Sequence, residues 1–252
     1  MDFSSTYRFD TEFFDDDFTG RMSWNVFGKR ILRAAARHAE ERGFENIVRN
    51  GHTYLWVLSR MTIKAERMPR VMENGTITTW LSAAYRCFVE RNFTINDQSG
   101  RETARVHTVW ALIDATSRRP VNLSEATDDG LQSFVDSSKV ISLPRPQRID
   151  TDQMQEVGQR EVCYSDLDKN GHLNSIRYID YALDTFSLEY LKTHRPYGME
   201  IAYCRESLWN DTITILKDRV HNLADDHDTF RMVMTRRGKP ACRCCVSFSN
   251  IE

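Results

Sequence analysis

The chain repeats itself. Asp17-Phe-Thr-Gly20 stands 151 positions before Asp168-Lys-Asn-Gly171 (168 − 17 = 171 − 20 = 151). Asn74-Gly-Thr-Ile-Thr78 matches Asn210-Asp-Thr-Ile-Thr214 at an offset of 136, and Gly100-Arg-Glu-Thr-Ala-Arg105 matches Gly238-Lys-Pro-Ala-Cys-Arg243 at 138. Three matches in one order mark a duplicated unit, so the 252 residues divide into two related domains of ordinary size. Each half reads β, helix, then several strands. The first has a strand over Tyr7–Phe14 and a helix from about Arg21 to Arg42, with Phe27, Ile31, Ala35 and Ala39 at helical spacing and Gly43 as a stop. Three β-type runs follow, Thr53–Ala65, a long Thr76–Ile95 and Glu102–Ala115. The second half has a strand over Gln159–Tyr164 and a helix over His172–His194 with Ile176, Ile179, Leu183, Phe186 and Tyr190 on one face. Its later strands are Met199–Leu208, Thr212–Val220, Thr229–Thr235 and Ala241–Asn250. This order predicts an α+β chain of two antiparallel sheets, each wrapping a long helix, over residues 1–117 and 159–252. Between them, 118–158 reads as a connector with Pro120, Pro144, Pro146, an acidic patch at Asp128-Asp129 and a short helix near Gly130–Val135.

The charge balance excludes little but does set a tone. A net charge of −2 gives no bulk attraction to nucleic acid or to an anionic membrane. The first residues hold no apolar signal core and no transmembrane-length apolar run occurs, which predicts a cytoplasmic protein. The six cysteines lack zinc-ribbon spacing; in a strand, Cys242 and Cys244 face one way and Cys245 the other, which predicts buried, reduced thiols and no metal.

The chemistry gathers at Tyr164-Ser-Asp-Leu-Asp168-Lys-Asn170-Gly171-His172-Leu-Asn174-Ser-Ile-Arg-Tyr178. Asp168, Asn170 and His172 alternate, so in an extended segment they share one side. Gly171 permits a tight backbone where a strand becomes a helix, and helix-end N–H groups favour developing negative charge. An acid, an amide and an imidazole beside such donors can perform acyl transfer. The first copy keeps Asp17 and Gly20 but has Thr19 and Arg21 where the second has Asn170 and His172; the counterpart of Glu206 is Met68 or Arg70, neither an acid. One active site, in the second half, is the economical expectation. Each residue also has a plain structural role open to it: Asp168 and Asn170 as turn or cap residues, His172 as a packed imidazole, Glu206 as a partner for a neighbouring Arg, Asn174 as a helix cap and Tyr178 as helix packing.

D-L-D-x-N-x-H-x-N-x-x-x-Y, followed by Tyr203-Cys-Arg-Glu206, resembles the acyl-ACP thioesterases of plant plastids and bacteria, and the resemblance runs over nearly the whole chain. It implies a tandem (double) hotdog fold and hydrolysis of fatty acyl-[acyl carrier protein] to free fatty acid, with no metal or redox cofactor. The implied catalytic set falls on Asp168, Asn170, His172 and Glu206, with Gly171 backbone N–H groups at the oxyanion. The plant enzymes carry Cys directly after the Glu; here Ser207 stands there, so a cysteine nucleophile at that position is excluded and a carboxylate-driven route favoured. An Arg- and Ser-rich transit segment is missing from the start of this sequence. The resemblance also implies an acyl cavity in the first hotdog, for which Met22, Trp24, Phe27, Trp56, Leu58 and Met61 are candidates, though all six suit an ordinary core. Acyl carrier protein, the implied partner, is acidic, so a basic docking face is expected at Arg118-Arg119, at Arg145 and Arg148, or at Arg236-Arg237-Lys239. The rival readings are an acyl-CoA thioesterase on the same fold, a hotdog dehydratase, and a non-catalytic acyl-carrier-binding module. A homodimer of tandem chains is compatible with all of them.

Overall fold

A computed structural model describes residues 3–45, 47–127, 130–143, 149, 151, 153–220 and 227–251. Asp128, Asp129, Pro144, Arg145, Pro146 and Arg148 lie outside the described residues. The chain forms two compact units: Met1–Ser59 with Ala65–Leu143, and Arg60–Lys64 with Pro144–Glu252.

The first unit begins with β1 (Ser5–Asp10) and α1 (Trp24–Glu41). β2 (Ile47–Arg49), β3 (His52–Ala65), β4 (Asn74–Tyr85), β5 (Phe88–Asp97) and β6 (Glu102–Asp114) follow, in the sheet order β1-β4-β5-β6-β3 with β2 beside β3. α1 forms because its apolar residues recur every three or four positions, and Trp24, Phe27, Ile31, Ala34, Ala35 and His38 are all buried. Ser23 caps its start, its hydroxyl accepting from the Val26 N–H at 3.3 Å. Its end is a Schellman cap. Gly43 sits at φ +70, its N–H donates to Glu40 O, and the Phe44 N–H donates to Ala39 O. Full burial of Phe27 and Ile31 stabilises by about 1.5–3 kcal/mol each.

The expected single strand over Thr76–Ile95 is a hairpin, β4 and β5, turning over Arg86-Cys87. Arg86 adopts φ 52 without glycine, asparagine or proline to signal the reversal. The expected connector is also partly ordered. α2 (Leu123–Thr127) and a 3-10 turn at Gly130–Phe134 bury Leu123, Ala126 and Leu131 in one cluster with Phe44, Tyr54, Leu81 and Val89. Residues 118–127 and 130–143 therefore pack with the first unit.

In the second unit, β7 (Gln155–Glu161) starts four residues before the expected strand. α3 (Arg177–Leu183), α4 (Leu188–Thr193), β8 (His194–Tyr203), β9 (Thr212–Val220), β10 (Asp228–Arg236) and β11 (Lys239–Asn250) complete it. The strands run β8-β11-β10-β9-β7, all antiparallel, and Arg60–Lys64 pairs with β8. The one long helix expected over His172–His194 is two short ones. Ser187, in extended backbone, caps α4 by accepting from the Tyr190 N–H, a local alternative to helical continuation. The apolar periodicity survives the break because Phe186 and Tyr190 still pack on Phe230 and Phe248, with ring centroids 4.7–5.9 Å apart. Cys242 and Cys244 are buried in β11 and Cys245 is half-buried; burial pushes the Cys245 thiol up to about 12. Among the described residues no group of three or more His, Cys, Asp or Glu could hold a metal, and no helix is long and apolar enough to cross a membrane.

Candidate active site

The polar stretch before α3 is a tight turn rather than an extended segment. Asp168 Oδ1 accepts from the backbone N–H of Asn170 (2.8 Å) and of His172 (3.1 Å). The Gly171 N–H donates to Asp168 O at 3.0 Å, and the Asp168 N–H to His172 O at 2.8 Å. Gly171 takes φ +77, a backbone that a side chain would strain. Asp168 thus does what its bland reading foresaw: it closes the turn on its own backbone. The Gly171 N–H expected at an oxyanion is already engaged, and α3 starts at Arg177, so the N–H groups at 170–174 all serve the turn and its neighbours.

The turn delivers His172 to a second loop. His172 forms an isolated bridge with Leu208, and the Leu173 N–H donates to Ser207 O at 2.8 Å. His172 Nε2 then lies 3.4 Å from Glu206 Oε2, with the imidazole 23% and the carboxylate 44% exposed. A half-exposed acid–imidazole pair can take a proton from a water molecule and pass it on. Asn170 is exposed at the turn tip, one residue from the glycine. Ser207, where the plant enzymes carry cysteine, is fully buried, its hydroxyl 3.0 Å from the Tyr178 phenol oxygen. Burial raises the Tyr178 phenol well above its ordinary value, so both hydroxyls stay neutral fixtures.

Two residues that hold this arrangement escaped the sequence reading. Asp166 is buried and gathers the Cys163 N–H (2.9 Å), Arg177 Nε (2.8 Å) and the Tyr181 hydroxyl (2.8 Å), while its carbonyl accepts from the Asn174 N–H. Asp211, also buried, accepts from the Leu208 N–H at 2.6 Å and pairs with Arg236 Nε at 3.0 Å. Arg236 Nη1 donates to Glu206 O at 2.6 Å, so one arginine ties the Glu206 peptide to the buried carboxylate. The signal for Asp166 was available: at the repeat offset of 151 it falls on Asp15, another aspartate (166 − 15 = 151). Asn174, expected as a helix cap, instead closes the turn before α3: its side-chain oxygen accepts from the N–H of Ile176, which is itself the N-cap.

The six acyl-cavity candidates are mostly core side chains. Met22, Trp24, Phe27, Leu58 and Met61 are buried side chains, and Trp56, half-buried, donates its indole N–H to Phe44 O at 2.8 Å. A cavity of about 350 Å³ in the first unit is lined by residues that include Phe44, Ile47, Leu131, Phe134, Arg42 and Arg49.

Residues 3–130 match the description "Acyl-ACP thioesterase N-terminal domain" and residues 149–250 match "Acyl-ACP thioesterase C-terminal domain". An acyl-ACP thioesterase structure from Bacteroides thetaiotaomicron is similar, with a TM-score of 0.85, 33% identity and 98% of each chain covered. The 12:0-ACP thioesterase of Umbellularia californica, at 16% identity, shares the fold with a TM-score of 0.78 over 99% of this chain and 95% of that one. These likenesses bear out the α+β tandem hotdog. A chloroplastic palmitoyl-acyl carrier protein thioesterase from Gossypium hirsutum is 25% identical over 159 residues, 60% of this chain; the chain spans 38% of that relative's length.

Proposed function

The chain belongs to the acyl-ACP thioesterase family, and from that premise we propose that it hydrolyses the thioester of a fatty acyl group on acyl carrier protein. Free fatty acid and the carrier's thiol are the products. The observation that carries this reading is the His172–Glu206 pair at 3.4 Å. At the equivalent place in the first unit stand Arg21 and Met68, which cannot do proton transfer. In the proposed route Glu206 takes a proton from water while His172 holds the carboxylate and the incoming oxygen. The water oxygen adds to the thioester carbon, and the Asn170 side-chain amide donates to the oxyanion. The C–S bond then breaks, and the proton returns to the departing sulfur through the same pair. Asp168 acts one step back, fixing the backbone of His172.

The test is hydrolysis of a panel of acyl-ACPs and the matching acyl-CoAs by wild type, Glu206→Ala and His172→Ala, with circular dichroism as the folding control. Preference for acyl-ACP with both variants folded and inactive is the expected result. Preference for acyl-CoA would remove the carrier assignment and keep the chemistry. A folded wild type that cleaves neither would leave a binding module. Light scattering on the same samples decides whether the chain assembles as the homodimer its sequence allows.

A further inference from the structure

Three turns meet around the His172–Glu206 pair. Lys169 stands on the turn between Asp168 and Gly171. Leu208 and Trp209 stand on the turn closed by the Asp211 N–H donating to Leu208 O. Arg237 and Gly238, at φ 50 and 71, form the tight turn joining β10 to β11, with Lys239 next to it. The contacts that bring them together are specific: the His172–Leu208 bridge, Arg236 donating to Glu206 O, and Arg205 Nη1 donating to Pro240 O at 2.8 Å.

This face is cationic and carries an exposed aromatic. Lys169, Arg205 and Lys239 are exposed, and among the described residues no carboxylate pairs with any of them. Arg237, 82% exposed, lies 3.8 Å from Asp211, whose carboxylate is already engaged by Arg236 and the Leu208 N–H. Trp209 is 64% exposed and Leu208 44%. An exposed indole on the same set of turns as exposed cations suits an acidic protein partner: the aromatic supplies contact area and the cations steer the approach.

We propose that Lys169, Arg205, Arg237 and Lys239, around Trp209, form the docking face for an acidic acyl carrier, which presents its thioester to the His172–Glu206 pair. This rests on the hydrolase reading above and adds the surface to it. Of the three basic clusters expected from sequence, it selects the one at Arg236-Arg237-Lys239 and assigns Arg236 to holding Glu206 instead of docking.

The experiment compares wild type with Arg237→Glu/Lys239→Glu and with Trp209→Ser on acyl-ACP and on acyl-pantetheine, which keeps the thioester arm without the carrier. Loss of about tenfold or more in kcat/KM on acyl-ACP, with acyl-pantetheine turnover unchanged and a flatter salt dependence, is the expected result. Unchanged kcat/KM on acyl-ACP overturns the docking face and leaves the hydrolase intact. Equal losses on both substrates overturn it as well, since the residues would then act on the site. If wild type hydrolyses neither substrate, the hydrolase reading fails, and calorimetric titration with acyl-ACP judges the face alone: weaker binding by the charge-reversed variant supports it and equal binding overturns it.

Discussion

The turn at Asp168–His172 and the turn at Asp17–Arg21 share their hydrogen bonds almost atom for atom. Asp17 Oδ1 accepts from the Thr19 N–H, the Gly20 N–H donates to Asp17 O, and the Asp17 N–H to Arg21 O, as at 168–172. Gly20 takes φ +69 beside +77 at Gly171. Asp15 accepts from the Glu12 N–H and from Arg30, as Asp166 does from the Cys163 N–H and Arg177. The adjoining loops agree too: the Arg70 N–H donates to Glu73 Oε2 as the Leu208 N–H donates to Asp211 Oδ2, and Met72 and Asn210 stand at φ 63 and 62. What differs is the side chains placed on this common frame, with Thr19, Arg21 and Met68 in one and Asn170, His172 and Glu206 in the other. Asp168 and Gly171 are common to both turns and hold the shared frame; the groups proposed to take and pass the proton are among those that differ.

The comparison breaks most sharply at Glu206. Glu206→Ala is expected to cut kcat on acyl-ACP by about 10²–10⁴-fold, the usual size of a general-base contribution. Met68→Leu, a volume-conserving change at the matching position, should cost under about 1.5 kcal/mol and leave kcat where it was. A large kcat loss in Met68→Leu would show that the first frame also takes part in the chemistry.

The hub carboxylates come next. Burial pushes the Asp166 carboxyl up, but the Cys163 N–H, Arg177 and Tyr181 outweigh it and hold the group below the usual carboxylate range. A depressed folded pKa contributes stability that is present above the unfolded value of about 3.9 and is lost as pH falls through the folded value. Asp166→Asn should therefore lower stability by about 2–3 kcal/mol at pH 7, with the deficit shrinking below about pH 4. Asp15→Asn, at a carboxylate 18% exposed against 6%, should cost less, about 1 kcal/mol. Urea unfolding across pH measures both, and a deficit that does not change with pH would remove the ionised Asp166 from the account.

The smallest effect tests the glycines. Nothing lies within 4 Å of a Cβ added at Gly20 or Gly171, so Gly20→Ala and Gly171→Ala pay only for the left-handed backbone, about 1 kcal/mol each. Thermal melts should find them alike, whereas only Gly171→Ala should also slow turnover, because it alone shifts the histidine of the proposed pair. Equal turnover in the two variants would mean that the turn tolerates more play than the His172–Glu206 distance implies.

Much of this was legible in the sequence, and the exceptions have physical causes. The repeat, the Gly43 stop and the Asp168–His172 cluster could be read because they depend on local backbone chemistry. The sequence match of Asn74 with Asn210 differs from the structural one by two residues. Structurally Met72 equates with Asn210 and Asn74 with Thr212, an offset of 138 throughout (210 − 72 = 212 − 74 = 138). A slip of two preserves which face of a strand is buried, so the pattern gave no warning. The same 138 resolves the counterpart of Glu206 as Met68. The Arg86-Cys87 reversal had no turn residue to announce it, and the break before Ser187 was masked by aromatics that kept their spacing across it. Asp166 and Asp211 went unread because their partners are distant: Arg177 and Tyr181 in α3, and Arg236 on another strand.

The Asp and Glu hubs, the positive-φ glycines and the matching loops recur in both units as one frame, whatever side chains stand on it. In evolutionary terms, three substitutions would carry the proposed groups onto the first frame: Thr19→Asn, Arg21→His and Met68→Glu. Only the last is costly, since Met68 is 7% exposed and a carboxylate there needs the new histidine as its partner. A duplicated chain of this kind can lose a site without losing its fold, and can regain one from the same few letters.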